Sequence, residues 1–271
     1  MNIEEARDEN GDIIQSFTDV FGNYDVTLPN LDFQFRVGNS LQEKIDDIEL
    51  KCTMAHKNFS QHLKSKTKMF VANSQFCASM YKRFGIKVDE VIYPPIDSKR
   101  FKPKTSRPAN DYVLTYIGKE TKYSILNTMA NFNIKIKAFG AKNRDLPKKI
   151  RKNPNIEILG NVTAVDLVKL YSNALYTLFT FTHEPFGYIP VESMACATPV
   201  LTHNKQGPKE SIINNKTGWL MDNDEEMTEK AIRIWKEGYS TKLRKNCLTR
   251  ASEFDQRLIG EKWLRLLELL S

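Results

Sequence analysis

The sequence predicts an α/β fold built on a parallel sheet, and three observations predict it. From residue 111 onward, short apolar runs alternate with helical segments, the pattern that lays helices on both faces of a parallel sheet. A polar stretch punctuated by prolines, residues 96–111, precedes that pattern and reads as a linker. Within the regular part, the apolar run from Leu175 to Phe181 passes through a Pro/Phe/Gly turn into a short helical segment. Strand, turn and helix in that order make the unit at whose strand end α/β sheets bind nucleotides.

Taken in order, residues 1–67 carry the weakest pattern. YDVTLP and LDFQFRV suit short strands, and Ser40 with Glu43 forms a capping-box spacing that opens a helix through about His62. MFVANS, residues 69–74, is apolar and β-prone, and Ser74 is placed to cap a helix that runs to Phe84 and stops at Gly85. EVIYPP is a strand ended by Pro94 and Pro95. Beyond the linker, strands are predicted at 111–117, 134–139, 155–159, 175–181, 199–202 and 218–221. Helices are predicted at 122–132, 163–173, 189–196, 207–214 and 224–237, followed by two more at 240–253 and 256–270. The last carries an apolar stripe of Trp263, Leu264, Leu266, Leu267 and Leu270.

The densest chemistry lies in His183-Glu184-Pro185-Phe186-Gly187-Tyr188-Ile189-Pro190-Val191-Glu192. Pro185 and Gly187 oppose a helix through both glutamates, so Glu184 belongs on the strand-end loop. Glu192 belongs about one turn into the helix, whose first turn tolerates Pro190. The free amides near Gly187, Tyr188 and Ile189 suit a phosphate.

The pair, embedded as EPFGYIPVE and followed by ATPVLTHNKQGPKE and NNKTGWL, resembles retaining glycosyltransferases of family 4, which have the GT-B fold of two Rossmann-like domains. PFG, TPV, Gly-x-x-Glu and Thr-Gly-Trp-Leu follow one another in the family's order, over residues 108–252. A weaker echo, ANSQFCASMYKRFGIKVDEVIYPPIDSKRFKP, resembles the end of such an enzyme's first domain. The resemblance implies a reduced acceptor-side domain and linker at 1–105, without the family's Gly-rich loop, and a nucleotide-sugar domain at 106–252. It also implies a final helix, 253–271, that returns to the first domain.

Residue roles follow from the same resemblance. Glu184 faces the sugar near its anomeric carbon, where a carboxylate serves an oxocarbenium-like transition state as nucleophile or as electrostatic stabiliser. Glu192 accepts the ribose hydroxyl hydrogens, since two carboxylate oxygens suit a vicinal diol. Gly187, Tyr188 and Ile189 offer amides to the distal phosphate. Gly118 opens the loop YIGKETK, in which Lys119 and Lys122 clamp the diphosphate, three positions apart where the family has about five. Gly160-Asn161-Val162 lays backbone against the nucleobase, or is simply a βα turn. Glu210, in Gly207-Pro208-Lys209-Glu210, touches the sugar or complements a helix dipole from the first turn. His56 and His62 are the only histidines of the first region; the family often presents a histidine from that domain to the sugar, but nothing local separates these two from helix-surface residues. Asp222-Asn223-Asp224 looks like an Asp-x-Asp motif, yet a helix N-cap explains it more simply. No metal or cofactor is called for.

Composition sets the frame. The chain has 271 residues, 41% hydrophobic and 27% charged, the balance of an ordinary globular protein. Its formal net charge of +7 favours anionic partners such as nucleotide sugars and phospholipid headgroups. No RNP, helix-turn-helix or zinc signature supports nucleic acid. Cys52, Cys77, Cys196 and Cys247 fit no metal spacing and read as reduced thiols. An acidic, polar N-terminus and the lack of a long apolar run predict a cytoplasmic protein that meets membranes only at their surface. The acceptor is then a glycan, a lipid-linked sugar or a protein. A non-catalytic nucleotide-sugar-binding subunit is the competing reading, and the short first domain and altered lysine spacing motivate it.

Overall fold

The computed structural model describes residues 57–62, 64–105, 109–118, 121–140, 146–181 and 184–269. The Ser40 capping box, the first two candidate strands, Cys52, His56 and Lys119 lie outside them. The chain divides into two compact units, one ending at Ile92 and one spanning Tyr93–Leu269.

In the first unit, β1 (Val71–Ala72) and β2 (Glu90–Val91) are parallel and joined by α1 (Gln75–Arg83). Ser74 caps α1, its hydroxyl accepting from the Cys77 amide at 3.0 Å, and Gly85, with φ of +73°, turns the chain after the helix. Met80, Tyr81, Phe84 and Ile86 form the buried cluster beneath. His62, on a helical stretch over 57–62, is exposed.

The second unit contains the predicted alternation. In order it runs β3 (Val113–Ile117), α2 (Tyr123–Asn131), β4 (Ile136–Gly140), α3 (Lys148–Arg151), β5 (Ile156–Gly160), α4 (Ala164–Asn173) and β6 (Thr177–Phe179). It continues through α5 (Tyr188–Ala195), β7 (Val200–His203), α6 (Gln206–Ser211), β8 (Gly218–Met221), α7 (Asp224–Glu237), α8 (Lys242–Ser252) and α9 (Gln256–Glu268). The four-residue α3 is too short to show a helical period, which is why it is absent from the predicted elements. All six strands are parallel, in the order β5-β4-β3-β6-β7-β8. Every residue of β6 and β7 is buried, whereas the edge strand β5 is partly open, which is why the central strands read as continuous apolar runs.

Alternate residues feed two cores. Val113, Ile117, Leu178 and Leu201 pack with Ile125, Leu126 and Met129 of α2 and Met227, Ala231 and Ile234 of α7. On the other face, Leu114 packs with Val168 and Tyr171 of α4, and Phe179 and Val200 pack with Val191 and Met194 of α5 and Cys247 and Ala251 of α8. Each fully buried Leu or Ile contributes about 1.5–3 kcal/mol through removal from water. Arg244 of α8 ties this layer together. Its guanidinium donates to the carbonyls of Ser172 and Ala174 at 2.9 and 3.2 Å, and to Thr198 Oγ1 at 3.1 Å.

The second unit starts at Tyr93, ahead of the boundary at 106 read from the prolines. Backbone pairing is the reason: the Ile96 amide donates to the Phe254 carbonyl at 2.8 Å, and the Gln256 amide returns to Ile96 at 3.1 Å. The presumed linker therefore runs along this unit, and α9, with Ile259 and Leu266 buried, belongs to it as well. Cys77, Cys196 and Cys247 are buried, unbridged thiols. No helix among the described residues is long and apolar enough to cross a membrane.

β8 lies hard against β7 at Gly218, where an added Cβ would sit 2.1 Å from the Val200 carbonyl oxygen. Gly218→Ala should therefore part the two strands and lower unfolding free energy by about 1–3 kcal/mol, as overpacking does. Denaturant melts check this: the midpoint should fall with the slope preserved. An unchanged midpoint would mean the β7–β8 pairing accommodates a methyl group freely.

Candidate functional site

The strand order reverses direction between β3 and β6: β4 and β5 lie to one side, β7 and β8 to the other. That switch point opens a crevice at the carboxyl ends of the strands, and the loops after β3, β6 and β7 line it. Gly118, Lys122, Glu184, Gly187 and Glu210 all lie on those loops or the helices that leave them. The loops after β3 and β6 touch. The Lys122 amide donates to Thr180 Oγ1 at 3.3 Å, and a Cβ at Gly118 would meet the Phe181 ring at 3.3 Å.

Glu184 leaves β6 on the strand-end loop, as Pro185 and Gly187 dictate. Its amide donates to Gln206 Oε1 at 2.9 Å, and its carbonyl accepts from the Gly207 amide at 3.1 Å. Its carboxylate Oε1 accepts from the Gly187 amide at 3.2 Å, against the start of α5, where a negative charge complements the helix dipole. Gly187 is the N-cap with φ of +87°, a conformation that favours glycine. The helix starts at Tyr188, one residue before the expected Ile189, and the Tyr188 side chain is half exposed.

Glu192, on the first helical turns, is partly buried. Burial raises its carboxyl above the usual range. Opposing that, Tyr171, wholly buried on α4, donates its hydroxyl to Glu192 Oε2 at 3.1 Å, and Arg100 adds positive charge. Burial likewise pushes the Tyr171 hydroxyl well above its ordinary value, with the neighbouring glutamate reinforcing it, so it stays a donor.

Lys122, at the N-cap of α2, donates from Nζ to Asp224 Oδ1 at 2.6 Å, and its Nζ lies 3.5 Å from His203 Nε2. His203 ends β7 and is 2% exposed, with Nε2 2.8 Å from the same Asp224 oxygen. That contact places the ring proton on Nε2. Burial is the largest influence on the ring and lowers its pKa, with Lys122 and Lys205 adding to the effect against Asp224. Burial works against the Asp224 carboxylate, but hydrogen bonds from Lys122 and His203 outweigh it and hold the group below its usual range. Asn223, not Asp224, caps α7, its side chain accepting from the Glu226 amide at 2.9 Å.

Glu210 corrects one expectation. It is the fifth residue of the six-residue α6, so it does not serve the helix's first turn. Its Oε2 instead accepts from the Tyr93 hydroxyl at 3.0 Å. Asn161 and Val162 follow the edge strand β5, two strands away from β3. Asn161 is exposed, and Val162 packs partly into the core. Sequence reasoning missed Tyr93, Tyr171, His203 and Gln206. Of these, only His203 carried a sequence signal, a histidine ending a predicted apolar strand.

The molecule is thus an α/β protein with a doubly wound parallel sheet and two glutamates around a helix start at its switch point. The model of the family "Glycosyl transferases group 1" matches residues 104–254, more than half of the chain, and the chain belongs to that family. The capsular polysaccharide biosynthesis glycosyltransferase CapM of Staphylococcus aureus is 23% identical over 204 residues, 67% of this chain and 51% of that protein. The alpha-1,3/1,6-mannosyltransferase alg-2 of Neurospora crassa is 33% identical over 75 residues, 27% of this chain and 16% of that protein. The chain thus spans about half or less of these relatives' length. Among solved structures, Anabaena HepE in complex with UDP and glucose aligns with a TM-score of 0.67 at 18% identity, over 78% of this chain and 66% of that one. Such neighbours share the GT-B-like α/β fold that the sequence predicted.

The His203 ring makes stability pH-dependent in a definite direction. The folded protein favours the neutral ring, so the unfolded chain takes up a proton first, and stability falls as pH drops below about 6.5. His203→Gln should remove this share, so that parent and variant melts diverge between about pH 7.5 and 5. Parallel curves would mean that the folded protein holds the ring no differently from the unfolded chain.

Proposed function

We propose that the chain carries the donor side of a retaining glycosyltransferase, moving a hexosyl group from a nucleoside diphosphate sugar to an acceptor hydroxyl. One observation carries the reading: Glu184 and Glu192 flank the start of α5 at the switch point of the sheet, with the Lys122 loop on the neighbouring strand end. As the bond from the anomeric carbon to the phosphate oxygen loosens, positive charge grows on the sugar and negative charge on the diphosphate. The Glu184 carboxylate interacts more strongly with the growing positive charge. Lys122, Lys119 and the amides of Gly187, Tyr188 and Ile189 meet the negative charge. Glu192, with Oε2 held by Tyr171, directs its carboxylate to the ribose hydroxyls. Gly118 lets the donor approach the β3 end closely, Asn161 and Val162 lie along the base, and Glu210 borders the sugar.

A relative named as a mannosyltransferase and a neighbour solved with UDP and glucose support a nucleotide-sugar donor. A relative named for capsular polysaccharide biosynthesis supports a glycan acceptor; a lipid-linked sugar or a protein would offer the same hydroxyl chemistry. The charge of +7 favours meeting that acceptor at the cytoplasmic surface of an anionic membrane. The Lys122–Asp224 ion pair favours a second reading, a nucleotide-sugar-binding subunit without turnover, because it occupies a cation the diphosphate would need.

Calorimetric titration with UDP-, GDP- and ADP-sugars, followed by turnover of whichever binds, tests both readings. Glu192→Ala should weaken donor binding by about 1–3 kcal/mol, the cost of leaving the ribose hydroxyls unpartnered. Glu184→Gln should cut turnover about 10²-fold and leave affinity for the sugar-free nucleotide unchanged. Normal turnover in that variant would remove Glu184 from the chemistry, and binding without any turnover in the parent would select the second reading.

Lysines and helix amides can by themselves neutralise the leaving diphosphate. Turnover should therefore persist in EDTA, and loss restored by Mg²⁺ or Mn²⁺ would show that an ion takes that part.

A further inference from the structure

Gln206 adopts a left-handed backbone conformation, φ +53°, which L residues with side chains avoid. It is the first residue of α6, in the loop after β7, and glycine would take this conformation without strain. Strain at such a position persists when surrounding contacts over-determine it. Here the side chain supplies the contact: Gln206 Oε1 accepts the Glu184 amide at 2.9 Å. Its neighbour Gly207 donates its own amide to the Glu184 carbonyl at 3.1 Å. Both polar groups of the Glu184 backbone are thus held by consecutive residues of another loop. The approach is close enough that a Cβ on Gly207 would lie 2.1 Å from the Pro185 carbonyl oxygen. A glycine at 206 would relieve the strain and leave the Glu184 amide without this acceptor.

We propose that Gln206 is a positioning residue: its side chain fixes the backbone of Glu184, and through it the direction of the Glu184 carboxylate toward the donor sugar. The inference rests on the reading of Glu184 as the carboxylate beside the sugar. The left-handed backbone sets the Gln206 side chain back across the loop toward β6, and no residue without a side-chain acceptor can perform the same task.

Two variants separate this role from a purely structural one. Gln206→Met keeps the length and the strained backbone but removes the acceptor. Gln206→Gly removes the acceptor and the strain together. Both should lower kcat about tenfold or more, because a small displacement of a reacting group costs rate steeply, with affinity for the sugar-free nucleotide unchanged. The melting temperature of Gln206→Gly should stay at the parent value, as relief of strain offsets the lost bond, whereas Gln206→Met should melt lower. Hydrogen exchange at the Glu184 amide, followed in the peptide that contains it, should accelerate in both variants and reads the bond without reference to turnover. Parent-like kcat in both variants, alongside a crippled Glu184→Gln, would overturn the role of Gln206 and leave that of Glu184 standing. A fully active Glu184→Gln would sink the underlying reading instead. Unchanged exchange at Glu184 would overturn the clamp whatever turnover does.

Discussion

The site depends on one close approach. Where the loops after β6 and β7 cross, the backbone of Gly207 lies against Pro185 and Phe186, so near that a Cβ at Gly207 would fall 2.1 Å from the Pro185 carbonyl oxygen. The missing side chain lets the Gly207 amide reach the Glu184 carbonyl and brings Gln206 within reach of the Glu184 amide. Beneath the crossing, Phe186 and Val191 are buried with Phe179 and Val200, so the loops rest on a closed apolar floor. A close-packed interior of this kind transmits small displacements and does not absorb them. The position of the Glu184 carboxylate is therefore set by packing as much as by its own hydrogen bond to Gly187.

The polar groups around the crevice are organised by element ends. Lys122 stands at the N-cap position of α2, His203 ends β7 and Asp224 begins α7, and the first two converge on one Asp224 carboxylate oxygen. Tyr171 and Glu192 meet between α4 and α5 in the opposite helical layer. In both cases a partly buried carboxylate is kept in place by donors from a different element, which is the usual requirement for ionisable groups removed from water. Both carboxylates are subject to burial. For Asp224 the donors prevail and its pKa falls, whereas for Glu192 burial prevails and its pKa rises.

Much of the fold was legible. Val113–Ile117, Ile136–Gly140, Ile156–Gly160 and Gly218–Met221 are short apolar runs bounded by turns, and each became a strand within two residues of its expected limits. Helices α2, α4 and α7 showed the 3.6-residue period because each buries one stripe, as Ile125, Leu126 and Met129 do on α2. The segment 96–105 was read differently from its sequence, because prolines and polar residues signal a linker while the pairing of Ile96 with residues 254 and 256 depends on backbone groups from far along the chain. Glu184 and Glu192 stood out through the turn between them. Tyr171, His203 and Gln206 did not, since each matters through a partner at least 21 residues away.

The sequence by itself determined the parallel α/β architecture, the family and the separation of Glu184 from Glu192 by a turn. These follow from local periodicity, from the restrictions of proline and glycine, and from a motif read in order. The tertiary structure decided which groups those glutamates meet: Tyr171 against Glu192, Gln206 and Gly207 against Glu184, Asp224 and His203 against Lys122. Such pairings arise where strands distant in sequence become neighbours in the sheet, and no local pattern encodes a contact made by the termini of different elements. The strained backbone at Gln206 is of the same kind, because only the crossing of two loops gives a glutamine reason to adopt a conformation that its own sequence neighbourhood disfavours.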